Sequence, residues 1–168
     1  PRGGGLVAQT AGDAAGDVDR GGKHVAEEID WTKVVSWHRD LSRGERAELR
    51  RAAPAEDVAF SPAFARLLNA LPGVDWRRLA VVASLLARVS DHDGRRSVAA
   101  ACGGVVREGR MRRLVETTVR DELPAQLGSI LRLLGGSANV ADLAAGVYYW
   151  GDHVRRQWAM DYYTGGRG

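Results

Sequence analysis

Apolar positions in this chain recur at intervals of three and four almost from end to end, the period of helices that bury one face. From Ala26 to about Leu41, the residues Trp31, Val34, Val35 and His38 fall at i, i+3, i+4 and i+7 and predict a first helix. Ser42-Arg43-Gly44-Glu45 has the form of a capping box, the serine accepting from the backbone while the glutamate reaches back to it. The helix it starts runs through Arg50-Arg51 and is stopped by Pro54, which lacks the N–H that another turn needs. Ser61-Pro62 offers an N-cap and an N1 proline to a helix bearing Phe64, Leu67, Leu68 and Leu71, closed by Pro72-Gly73.

A further helix is predicted from Trp76 to about Ser90, with Leu79, Val82, Ala83, Leu86 and Val89 facing inward. Asp91 to Arg96 reads as a polar loop. The stretch 97–110 is ambiguous: Val98 to Cys102 suits a short helix, which Gly103-Gly104 weakens. Met111 to Thr118 is read as helical. The clearest stripe follows over Glu122–Leu134, with Leu123, Leu127, Ile130, Leu131 and Leu134 on one side, Asp121 as its cap and Gly135-Gly136 as its end. Asn139 is placed to cap a helix containing Leu143, Val147 and Trp150, and Val154, Trp158 and Tyr162 repeat at i, i+4, i+8 in the last one. No run alternates with period 2, so strands are not expected. The pattern predicts an all-α fold, a helical bundle of about seven to nine helices, either a single body or two small lobes sharing an interface. Residues 26–163 form the expected helical domain, preceded by a flexible, glycine-rich acidic leader over 1–25 and followed by a loose tail over 164–168.

Composition sharpens this picture in a few places. At 168 residues, 45% hydrophobic and 27% charged, the chain reads as globular. It has no apolar run long enough to span a bilayer, lacks the pattern of a secretory signal, and carries a single cysteine, Cys102. These features together suggest the cytoplasm and no membrane. Charge is unevenly spread. Three of the 24 bases and six of the 21 acids fall in residues 1–30, which leaves 21 bases against 15 acids in the remainder. Apart from Lys23 and Lys33, every base is arginine, whose planar fork meets phosphate oxygens two at a time. A polyanionic partner is the natural expectation.

Chemistry for catalysis is sparse. His24, His38, His92 and His153 make no ligand-spaced pair with each other or with Cys102, so neither a metal nor another cofactor is expected. His38 lies on the apolar face of its helix and reads as a satisfied core histidine. His92-Asp93 has the two-residue core of metal-dependent phosphohydrolases, but it sits in a polar turn without further His or Asp residues in register. Cys102 among alanines reads as a small buried hydrophobe, and Trp150 and Trp158 at helical spacing read as core. No nucleophile, base and oxyanion donor assemble, and the chain is read as non-catalytic.

The arginines carry the functional reading. Arg107, Arg110, Arg112 and Arg113 cluster with one acid between them, Arg50-Arg51 end one helix, and Arg155-Arg156 lie within the last. Arg132 stands opposite the leucine stripe of its helix, with Arg120 just upstream. Glu45 and Glu48 are placed to absorb Arg46 and Arg50, whereas the 107–113 cluster and Arg155-Arg156 have few acids within a helical turn. Phosphate contact is therefore expected at Arg50, Arg51, Arg107, Arg110, Arg112, Arg113, Arg120, Arg132, Arg155 and Arg156, directed at the backbone and indifferent to base sequence.

Several signatures occur in order. Trp37 precedes Asp40-Leu41-Ser42-Arg43-Gly44-Glu45-Arg46-Ala47-Glu48-Leu49-Arg50-Arg51. Ser61-Pro62-Ala63-Phe64-Ala65-Arg66-Leu67-Leu68, Gly109-Arg110-Met111-Arg112-Arg113-Leu114 and Leu131-Arg132-Leu133-Leu134 follow, and the series closes on Val154-Arg155-Arg156-Gln157-Trp158-Ala159-Met160-Asp161-Tyr162-Tyr163. Over roughly residues 31–163 it resembles the CasB family, the small subunit of the type I-E CRISPR surveillance complex Cascade. The resemblance implies an all-helical protein without enzymatic activity, present as two copies head to tail among the other Cascade proteins. It implies a place beside the paired crRNA and target DNA, where basic residues help hold the displaced non-target strand and stabilise the R-loop. By matching position it favours Arg50, Arg51, Arg120, Arg132 and Arg155-Arg156. Leu114 stands where the family often has an aromatic, and the loop at 91–104 matches poorly.

Two other readings stay open on the residues alone. A helical DNA-binding regulator would need a recognition helix with exposed base-reading side chains, and no segment offers one convincingly. A protein scaffold without nucleic-acid contact would leave the arginines as ordinary solvated charge.

Overall fold

The computed structural model describes residues 28–165. The expected leader over 1–25 and most of the expected tail lie outside that range. Among the described residues there are nine α-helices: α1 (Trp31–Arg39), α2 (Arg43–Arg51), α3 (Pro62–Ala70), α4 (Trp76–Leu86), α5 (Val98–Cys102), α6 (Glu108–Glu116), α7 (Leu123–Leu133), α8 (Val140–Tyr148) and α9 (Asp152–Gly165). Two 3-10 segments, Ala55–Phe60 and Arg120–Glu122, lead into α3 and α7. The all-α expectation holds, with one small departure. Asp91–His92 (β1) and Ser137–Ala138 (β2) pair in parallel over two residues, too short to leave a period-2 signature.

Short polar side chains set most of the helix starts. Ser42 Oγ accepts from the Glu45 amide at 3.1 Å while Glu45 Oε1 accepts from the Ser42 amide at 3.0 Å, completing the capping box. Ser61 accepts from Ala63 N, and Asn139 Oδ1 from Asp142 N at 3.0 Å. Several boundaries differ from the sequence reading, and the helix expected to reach about Ser90 ends at Leu86. The first helix starts at Trp31, not Ala26, because the Asp30 carboxylate takes the Thr32 amide and holds its own backbone extended. Asp121 does not cap α7. It lies inside the 3-10 turn, and α7 opens instead with Pro124 in its first turn, where no amide is needed. The helix expected to contain Trp150 ends at Tyr148, and Trp150 is buried just beyond it.

The apolar stripes converge on one continuous cluster running from Val34 through Tyr162. Its centre is α4, in which every residue from Leu79 to Leu86 is buried, flanked by α7, α8 and the first 3-10 segment. α9 closes the far side against α5 and α6. Trp150 and Trp158 meet edge to face at 5.3 Å, and both are core residues. Buried indole N–H groups are satisfied: Trp37 donates to the Ala63 carbonyl and Trp150 to the Thr117 carbonyl, each at 2.8 Å. No helix among the described residues is long and apolar enough to cross a membrane.

This packing brings the C-terminal ends of α4 and α7 side by side. α7 ends in two glycines with positive φ, 77° at Gly135 and 85° at Gly136. Their amides close back on the Arg132 and Leu131 carbonyls at 3.1 and 3.0 Å, a Schellman turn that L residues with a Cβ adopt only at a cost. The Gly136 carbonyl then accepts from the Ser90 amide at 2.7 Å, tying the two helix ends together.

Candidate nucleic-acid interface

Between those two helix ends and α2 lies a cleft of about 540 Å³. Four arginines line it: Arg46 and Arg50 from α2, Arg88 just past α4, and Arg132 at the end of α7. Ala87, Val89, Leu131 and the paired glycines supply much of the remaining wall, and no carboxylate of the described residues lines it.

Backbone oxygens, in place of acids, hold the deeper arginines. Arg46 Nη2 donates to the His38 carbonyl at 2.7 Å and Nη1 to the Val89 carbonyl at 2.9 Å. His38 Nε2 stands 2.7 Å from the same Val89 carbonyl, so that nitrogen carries the ring proton and donates it there. The 2.9 Å approach of Arg46 Nη1 to His38 Nε2 is then a consequence of shared attachment to one oxygen. Arg50 Nη1 reaches the Ala87 carbonyl at 3.3 Å. Ala87 is the C-cap of α4 and Val89 lies two residues beyond it, so two of these carbonyls stand at the negative end of that helix, where cations are favoured. His38, 2% exposed, is the satisfied core histidine expected from its position.

Arg88 is held differently. Its side chain lies along Gly128 of α7, where an added Cβ would touch Arg88 Cδ at 3.6 Å. Its Nε is buried and finds no acceptor among the described residues. Burial, then the neighbouring guanidiniums of Arg132 and Arg50, hold Arg88 below the ordinary arginine range. Burial and Arg50 do the same to Arg46, with Asp91 opposing. An arginine stays charged through such shifts. Like charges are thus packed together with a donor left over, an arrangement that an anion relieves.

Of the ten arginines singled out from the sequence, the cleft brings together Arg50 and Arg132. Arg51 is exposed beside Arg50 on α2. Arg107, Arg110 and Arg113 are exposed at α6, and Arg110 Nη1 reaches α7 by donating to Ser129 Oγ at 2.9 Å. Arg120 is half-buried and clamps the end of α8, donating to the Val147 and Trp150 carbonyls at 2.9 and 3.2 Å.

The charge-pairing expectations need correction. Arg112 pairs with Glu108 at 2.7 Å, one helical turn away. Asp152 takes Arg155 at 2.8 Å and lies 3.9 Å from Arg156, while Arg155 Nε also donates to the Val115 carbonyl. Conversely, Glu45 does not absorb Arg46; it turns to Arg66 of α3 at 3.0 Å. Arg46 and Arg88 are the cleft residues that sequence reasoning misses. Arg46 sits one residue past a glutamate, and Arg88 lies between buried Ala87 and Val89, where the pattern reads only as a helix end.

Elsewhere, His92 Nδ1 accepts from the Val140 amide at 3.0 Å, and Asp93 holds Arg95 through both oxygens at 2.9 and 2.8 Å. No group of three or more His, Cys, Asp or Glu side chains placed to hold a metal occurs among the described residues. Cys102 is fully buried, and that burial pushes its thiol up to about 12, so it stays protonated.

Fold and cleft together define a small, almost entirely helical protein with a cationic groove at the junction of three helices, lined by no carboxylate of the described residues. Residues 45–163 match the family model of the CRISPR-associated protein Cse2, and the chain belongs to that family, the CasB family of Cascade. Two solved structures are similar in fold. One is a chain in the crystal structure of E. coli Cascade bound to a PAM-containing dsDNA target, with a TM-score of 0.66 at 22% identity, covering 84% of this chain and 99% of that one. The other is CasB from Thermus thermophilus, with a TM-score of 0.61 at 24% identity, covering 80% and 97%. No curated protein sequence matches the chain.

Proposed function

We propose that this protein is a non-catalytic subunit of a Cascade-type, RNA-guided surveillance complex in the cytoplasm, and that its arginine cleft grips the sugar-phosphate backbone of a nucleic-acid strand. The observation that carries this reading is the convergence of Arg46, Arg50, Arg88 and Arg132 on one cleft with no carboxylate of the described residues in its wall. Membership of the Cse2 family supports the complex, and the fold shared with a chain of a DNA-bound Cascade supports the ligand class. The strand that best suits a groove without base-reading groups is one whose sequence differs at every target, such as the displaced non-target strand. Exchange of DNA duplex for RNA–DNA heteroduplex is close to balanced, so backbone contacts of modest strength can tip R-loop formation. Arg51, Arg107, Arg110 and Arg113 extend the cationic surface. Arg112, Arg155 and Arg156 join it only in competition with their carboxylates. The partners are the other Cascade proteins, the crRNA and target DNA, and a second copy of the chain.

The test uses complexes assembled with Arg50→Ala, Arg132→Ala and the double variant, measuring target-DNA binding over a salt series. Weaker binding and a shallower dependence on log salt are expected, each lost phosphate contact reducing the slope by up to about 0.9. Unchanged affinity and slope in the double variant would remove the cleft from strand binding. Failure of the wild-type chain to co-purify with Cascade proteins and guide RNA would remove the complex itself.

A further inference from the structure

His38 and Arg46 are joined at one oxygen in the wall of the cleft. His38 Nε2 donates to the Val89 carbonyl at 2.7 Å, and Arg46 Nη1 donates to it at 2.9 Å. The two nitrogens stand only 2.9 Å apart. Arg46 and Val89 line the cleft, whereas His38 is buried behind them on α1. A guanidinium has five N–H groups, and the Val89 and His38 carbonyls take two of those on Arg46, so it keeps donors for an anion. The groups facing the imidazole are Arg46 from α2, His92 from β1, and the Val89 and Leu86 carbonyls from the end of α4. No carboxylate is among them. Asp91 acts on Arg46, and on α1 itself the exposed pair Arg39 and Asp40 bond to each other at 3.2 Å.

We propose that anion binding in the cleft and proton uptake by His38 are one linked event, the occupied cleft holding His38 as imidazolium. This rests on the strand-binding reading and adds to it a regulation by pH. In the empty cleft, a proton on the ring sets a second full cation against Arg46 in a buried place. Burial first, then Arg46 and His92, hold the ring below its ordinary range, with the Val89 and Leu86 carbonyls opposing. An anion seated on Arg46 offsets the guanidinium charge and lifts part of that opposition. The Leu86 carbonyl beside the ring helps to accommodate the charged form. Linkage is reciprocal: if the anion favours the proton, the proton favours the anion to the same degree. Binding therefore tightens as pH falls through and below about 6.5. The guanidiniums lining the cleft keep their charge throughout this range and contribute no such dependence.

The experiment is calorimetric titration of the full chain with an oligothymidylate of about 15 nucleotides, from about pH 8 to about pH 5.5, in buffers of different ionisation enthalpy. Neither its phosphodiesters nor its thymines change protonation over that range. Affinity is expected to rise at least about threefold on acidification, with net proton uptake on binding. His38→Gln, whose amide keeps a donor for the Val89 oxygen, should lose both the rise and the uptake. The His38 ring resonances of the wild type give a reading that needs no variant: their protonation midpoint should move to higher pH when the oligonucleotide is bound. Salt-dependent binding with no pH dependence and an unmoved midpoint would overturn the linkage and leave the cleft standing as a strand site. Proton uptake that persists in His38→Gln but vanishes in His92→Asn, which keeps an acceptor for the Val140 amide, assigns the proton to His92 and overturns it equally. Absence of binding at every pH, even at low salt, removes the strand-binding reading and the linkage with it.

Discussion

Gly146 of α8 lies against the indole of Trp158 on α9, so close that an added Cβ would stand 2.9 Å from Cζ2 and 3.1 Å from Nε1. The ring cannot retreat, because Trp158 is buried and Trp150 meets it edge-on. Gly146→Ala would gain up to about 1 kcal/mol in helix propensity. The overpacking costs about 1–3 kcal/mol, and net destabilisation is expected. A lower urea midpoint with an unchanged slope is the expected reading; a midpoint equal to or above the wild type would show that the two helices can slide apart freely.

Arg120 and Arg132 should part company when each is replaced by alanine. Arg120→Ala leaves the Val147 and Trp150 carbonyls without their guanidinium donors, an expected loss of about 1–3 kcal/mol in unfolding free energy. Arg132 is exposed and has no ion-pair partner among the described residues, so Arg132→Ala should stay within about 0.5 kcal/mol of wild type. Chemical denaturation of both variants decides this, and comparable losses would contradict the division between clamp and cleft.

Acidification should destabilise the fold before the carboxylates titrate. Burial is the main reason that the His38 pKa lies below its ordinary value of 6.5, with Arg46 and His92 adding to the effect and the Val89 carbonyl opposing it. The unfolded chain thus binds a proton that the folded one resists. The contribution is fully present above about pH 6.5 and declines as pH falls below it, toward the depressed folded value. Melting temperatures measured between neutrality and about pH 5 should fall for the wild type and fall less for His38→Gln. Parallel curves for the two would remove His38 as the cause.

The two glycines that end α7 should differ in tolerance. At Gly135, with φ 77°, an added Cβ would meet open space, whereas at Gly136, with φ 85°, it would stand 3.0 Å from Ser90 Oγ. Asparagine tolerates the left-handed region, so Gly135→Asn should cost little, while Gly136→Ala incurs about 1–2 kcal/mol of backbone strain together with the steric contact. Thermal unfolding of the pair checks the order, and the reverse order would show that Ser90 yields more easily than the backbone turn.

Helix identity is legible wherever a short polar residue announces the start. Ser42 with Glu45, Ser61 with Pro62, and Asn139 each cap the helix that the local pattern predicts. Asp121 carries the same signal, but Pro124 in the first turn of α7 removes the need for a cap there. The site is harder to see, because its members come from segments some forty residues apart and meet only through packing around α4. Arg50 and Arg132 stand out as bases on helix surfaces. Arg46 does not, because sequence proximity assigns it Glu45, which a tertiary contact gives to Arg66. Arg88 looks like the solvated end of a buried helix, and its orphaned Nε is visible only once Gly128 of α7 lies beneath it.

The attachment of Arg46 and Arg50 to backbone carbonyls has a consequence for how the cleft would meet an anion. A carboxylate-braced arginine must give up its brace to engage a newcomer, and its surroundings grow more positive as the acid takes up protons. Amide oxygens neither titrate in this range nor compete as full charges. At Arg46 and Arg50 an arriving anion would accordingly displace solvent without first breaking an ion pair to a carboxylate of the described residues.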